Sequence, residues 1–144
     1  MPGLKRKLFR TDFHQLADDR MADARTLLTA GRAVAAYYIA GYAIECALKA
    51  CIARTVGEHK FPDKDLGRNV HTHRLDDLLG FAGLRNELRD ASQQDPQLAT
   101  NWAIAANWSE TVRYYGATVQ DAEELIAAVD DPQHGILEWI KQRW

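Results

Sequence analysis

Glu45 and Lys49 are the residues whose type and spacing first suggest chemistry, because they interrupt the longest apolar stretch of the chain, AVAAYYIAGYAIECALKACIARTV from Ala33 to Val56. Their i, i+4 spacing stacks them on one face of a helix, with the acid nearer the N-terminus, the favoured order. A carboxylate midway along an apolar helix must be paired or neutralised. Besides Lys49, Arg113 is a candidate partner. It lies in the polar break SETVRYYG between two aromatic clusters, which in a bundle can fold back against the middle of the central helix. A structural ion pair is the first reading of this constellation and a site role the second.

The histidines offer weaker patterns. His71 and His73, two apart in a long loop, invite a metal, but zinc takes three or four ligands and the chain has no CxxC or HExxH spacing. The reading is no metal and no cofactor, with His73 a capping or packing histidine at the start of the third helix. Phosphate loops of the GxxxxGK[ST] and GxGxxG kinds and the GxSxG elbow are missing, so nucleotide hydrolysis and serine hydrolase chemistry are unsupported. Trp102, Trp108, Trp139, Trp144, Tyr114 and Tyr115 could stack bases, yet most read as core. Trp144, at the chain end, calls for a partner surface to cover it and points to an interface.

These residues need a scaffold, and 144 residues suffice for one domain. Ala33–Val56 reads as one long central helix. Its small residues, including Ala36, Ala40, Gly41, Ala43 and Ala47, admit close neighbours, while Tyr37, Tyr38, Tyr42, Ile44, Leu48 and Ile52 fill volume. It is no membrane span, since its uncharged run ends at Ile44, short of the roughly 20 residues required. No leading segment reads as a signal peptide. Cys46 and Cys51, five apart on one helix, point in different directions and suit a reducing cytoplasm. With 18 Lys plus Arg against 20 Asp plus Glu, the net charge of −2 supplies no field toward nucleic acid or membrane, so any such binding must come from a local patch.

In chain order, residues 1–10 form a basic N-terminal arm and 11–144 a single domain. Thr11 or Asp12 caps a helix running to about Ala30, which Gly31 ends; the short connection forces an antiparallel hairpin. The stretch after Val56 is the longest loop. Thr72 caps a helix that buries Leu75, Leu78, Leu79 and Ala82 and ends at Gly83. LRNELRDASQQ follows as a short polar helix. Asp95 and Pro96 open a helix carrying Leu98, Trp102, Ile104, Ala105 and Trp108. Thr118 starts another, with Val119, Ala122, Leu125, Ile126 and Val129 inward, and Ile136, Leu137 and Ile140 mark a last short helix. With no alternating pattern anywhere, the class is all-α.

AYYIAGYAIECALKACI, HTHRLDDLL, WSETVRYYG and DPQHGILEWI together resemble the HEPN domain (higher eukaryotes and prokaryotes nucleotide-binding), over most of the chain from about Leu16 onward. The resemblance implies an up-and-down bundle of four to five helices, usually a homodimer, found in toxin and antitoxin modules, as partners of minimal nucleotidyltransferases, and as RNA-cleaving nucleases. Those nucleases carry Arg, four to six residues, then His at the start of a late helix, assisted by a polar residue of the second helix. Glu45 matches the helper and Arg113 the arginine, but no histidine follows Arg113 at that spacing. A literal match, Arg68 to His73, lies in the loop before the third helix and is read as chance. The catalytic candidates are therefore Arg113, Glu45 and His73, within a binding or polar-core cluster of Glu45, Lys49, Arg113, Tyr114 and His73. The expected function is that of a cytoplasmic, dimeric nucleotide- or RNA-binding component working with a nucleotidyltransferase or antitoxin partner, without catalysis of its own. A metal-independent ribonuclease is the alternative.

Overall fold

The computed structural model of the chain describes residues 9–56 and 71–144. Every regular element among them is an α-helix: α1 (Arg10–Thr29), α2 (Ala33–Val56), α3 (Leu75–Phe81), α4 (Arg85–Gln94), α5 (Pro96–Ala106), α6 (Val112–Tyr115), α7 (Val119–Asp130) and α8 (Ile136–Lys141). The class is all-α. The described chain is cut more finely than four to five helices, because Gly83 and Gly116 adopt positive φ (73° and 87°) and Asp95–Pro96 and Asp131–Pro132 each force a break. The basic arm lies mostly outside the described residues, as does the loop from 57 to 70.

The central position of α2 follows from its composition. It packs against α1, α3, α6, α7 and α8, and Ala36, Ala40, Ala43, Ala47 and Ala50 are all fully buried along it. The three-residue turn Ala30–Arg32, with Gly31 at φ 77°, returns the chain so that α1 lies along α2 as a hairpin. A close approach occurs at Gly41, where an added Cβ would overlap the Trp108 ring. That ring is 4% exposed, and it anchors the chain just after α5 to the middle of α2.

Several sequence expectations need correction. Helix α1 starts before Thr11: its N-cap is Phe9, whose backbone N–H donates to Asp12 Oδ2 at 2.8 Å. Thr72 does not cap α3, whose N-cap is Arg74; the Thr72 hydroxyl accepts from Arg74 N instead. Val119 occupies the first position of α7 and is 52% exposed, one turn short of the buried stripe that begins at Ala122. Tyr114 and Tyr115 are surface residues, not core. Trp144 is partly covered within the chain, where it stacks on His14 at 4.2 Å between ring centroids with Lys141 nearby.

Candidate functional site

The steps from Tyr38 to Tyr42, Glu45 and Lys49 are four, three and four residues, which places all four on one face of α2. Glu45 is 1% exposed, and each carboxylate oxygen has a partner. Oε2 accepts from Lys49 Nζ at 3.2 Å, and Oε1 meets His73 Nδ1 at 2.7 Å. His73 stands two residues before α3. Leu75, Leu78 and Leu79 bury that helix against the core, and their packing carries the imidazole to the middle of α2.

This contact fixes the roles of the two ring nitrogens. An ionised carboxylate only accepts, so in this contact Nδ1 is the donor, and Nε2 is the ring nitrogen that Glu45 does not engage. Nε2 has no partner among the described residues, and the His73 side chain is 46% exposed. The arrangement is a half-exposed imidazole oriented by a buried acid, with the second ring nitrogen not engaged by that acid, beside a lysine. Such a group can transfer a proton to or from a bound molecule.

The neighbours on the stripe are held in protonated forms. Burial, and next the Glu45 charge, raise the Tyr42 phenol above its ordinary value and keep it a hydroxyl donor. The same two causes push the Cys46 thiol up to about 11, so it is no nucleophile at neutral pH.

A second cluster lies further toward the start of α2. The Arg113 guanidinium on α6 sits 4.9 Å from the Tyr114 ring centroid and 5.9 Å from that of Tyr38, within cation–π range. The Tyr38 ring is in turn 6.2 Å from both Tyr42 and Trp108. The expected single cluster of Glu45, Lys49, Arg113, Tyr114 and His73 is thus two clusters on one face. Glu45 is seven residues beyond Tyr38, about 10 Å along the axis. Arg113 does not pair with Glu45, because Trp108 docked on Gly41 fixes the following turn beside Tyr38, at the wrong height on α2.

His71 is exposed, and Arg68 lies outside the described residues. His73 was singled out in the sequence both as a capping or packing residue and, through the resemblance, as a catalytic candidate in one polar cluster with Glu45; their contact spans 28 positions and no local spacing announces it. One further residue escaped the sequence reading, and a second was read only as a helix start. Arg32 stands in the α1–α2 turn and lines a hollow with Tyr38 and Arg113; a cation directly after the helix-ending Gly31 was the available signal. Asp95 both caps α5 through Leu98 N and meets His134 Nδ1 at 2.8 Å. Among the described residues, no three His, Cys, Asp or Glu side chains gather where a metal could sit, and no helix is long and apolar enough to cross a membrane.

No family model, curated protein or solved structure matches the chain.

Proposed function

We propose that this chain is a HEPN-like helical bundle that binds RNA or a nucleotide along the partly exposed edge of α2 that carries Tyr38, Tyr42 and Lys49, as a homodimer and together with a partner such as a nucleotidyltransferase or an antitoxin. The observation that carries the reading is the line Tyr38, Tyr42, Glu45 and Lys49, flanked by Arg113 at one end and His73 at the other. Rings and a guanidinium offer stacking surfaces for unpaired bases, and lysine, arginine and protonated histidine attract phosphate. The exposed Val34, Tyr114, Tyr115 and Val119 supply apolar area for a second copy or a partner. A fluorescent single-stranded RNA titrated with the protein tests the binding. Binding that weakens in Arg113→Ala and Lys49→Ala and falls with salt supports the reading; no binding in low salt rejects it.

Metal-independent RNA cleavage is the second reading, and one observation favours it. His73, held by Glu45 through Nδ1 and half-exposed, is the group that would remove a proton from a ribose 2′-hydroxyl, which then attacks the adjacent phosphorus. The leaving 5′ oxygen must receive a proton, and this single imidazole supplies both transfers only if it gives back the proton it has taken. Cleavage of mixed RNA in EDTA by wild type, lost in His73→Ala, would promote this reading over the first. The first reading expects wild type alone to leave RNA intact.

A further inference from the structure

A hollow of about 550 Å³ lies between the α1–α2 turn and α6, lined by residues 31–35, Tyr38 and Arg113. Its size falls within the range of small-molecule sites. Gly31, Ala33 and Ala35 leave its floor apolar and open, Tyr38 forms a wall, and Arg32 and Arg113 bring two permanent positive charges. No acid lines it. Neither arginine has a carboxylate partner among the described residues, and Arg113 lies beside the Tyr114 and Tyr38 side chains. In a chain of net charge −2, two guanidiniums uncompensated beside one ring are a local inversion of the overall charge.

Each part of this lining selects a part of a ligand. Guanidiniums grip a phosphate with paired hydrogen bonds. A tyrosine face and an apolar floor suit a planar base. Inorganic phosphate would satisfy only the arginines, and a nucleoside only the ring and floor. We propose that the hollow is a subsite for a nucleoside monophosphate unit, either a free nucleotide or the phosphorylated end of an RNA, with the phosphate between Arg32 and Arg113 and the base against Tyr38. The assignment rests on the reading that this face of α2 binds nucleotides, and it adds a defined end to the track: an RNA whose terminal unit fills the hollow runs along α2 toward Lys49 and His73.

The test titrates the full chain by calorimetry with AMP, adenosine and inorganic phosphate, and by anisotropy with an RNA pentamer bearing or lacking a 5′ phosphate. AMP is expected to bind about 10-fold or more tighter than adenosine or phosphate, the scale of one charge-assisted hydrogen bond. Arg32→Ala removes the charge, and Ala35→Leu fills the hollow without touching it; each should weaken AMP binding by about the same factor. Circular dichroism melts of both variants confirm folding. Dependence on Arg32 for the phosphorylated pentamer assigns the unit to an RNA end, and dependence for AMP alone assigns it to a free nucleotide. AMP binding no tighter than adenosine or phosphate, or unmoved by both variants, overturns the subsite. If RNA still binds in that case, the RNA-binding reading survives alone; if neither RNA nor AMP binds, both fall.

Discussion

The Nδ1 of His73 lies 2.7 Å from Oε1 of Glu45, and through that one contact the approach to α3 is clipped to the middle of α2. The carboxylate is nearly inaccessible, whereas the imidazole is half in solvent. Losing His73 therefore removes a hydrogen bond to a charge at a partly screened site.

His73→Ala is expected to cost about 1 kcal/mol. Lys49→Met, which strips the more buried partner and leaves Glu45 with His73 alone, should cost about 2 to 3 kcal/mol. A double-mutant cycle of thermal melts measures the coupling; strict additivity would show that the two partners do not share the carboxylate. Arg113→Ala serves as the control. With no contact to Glu45, it should change stability by less than about 0.5 kcal/mol.

Gly41→Ala adds a methyl group where the Trp108 ring already stands. The indole must move, and Tyr38 and the turn leading to Arg113 move with it. Overpacking of this kind costs about 1 to 3 kcal/mol. Tryptophan fluorescence of the variant should shift together with a lowered melting temperature; an unchanged melt would mean that Trp108 is not packed on α2.

The Asp95–His134 contact joins the start of α5 to the turn between α7 and α8. The Asp95 bond raises His134 above its ordinary value of 6.5, helped by the Asp131 charge. The His134 bond lowers Asp95 below 3.8, and backbone N–H groups of His134 and Gln133 lower Asp131. A raised histidine contributes stability that is complete below pH 6.5 and disappears as pH climbs through its folded value. Lowered carboxylates contribute above pH 3.8 and lose that contribution as pH falls. Wild type should therefore lose more stability than His134→Gln between pH 6 and 8. His14 shifts the opposite way, lowered first by burial and then by Arg10, so the comparison must be the difference between the two proteins. Parallel melting curves would exclude the linkage.

Burial raises both Cys46 and Cys51 to about 11. Neither thiol should react with iodoacetamide at pH 7.5 in the native state, and both should react at the rate of a free thiol in denaturant. Mass spectrometry after timed quenching measures this; rapid native labelling of either residue would contradict its placement in the core.

The sequence by itself determined what depends on neighbours along the chain. The bounds of α2, the Gly31 and Gly83 stops, the Asp95–Pro96 start and the Glu45–Lys49 stack all follow from helical periodicity, backbone freedom and i, i+4 geometry. The all-α class was legible for the same reason. Tertiary packing decided which distant side chains complete those local arrangements. Leu75, Leu78 and Leu79 set α3 against α2 and so bring His73 to Glu45, whereas Trp108 on Gly41 holds Arg113 beside Tyr38. Burial of Glu45 could be inferred from the apolar helix around it. Its partner across 28 residues could not, because a buried charge requires some complement without specifying which one. Trp144 and Tyr115 show the same limit: ring size favours burial, but only the placement of the Trp144 ring on His14 of α1 and the solvent-facing side of α6 determine which ring is covered.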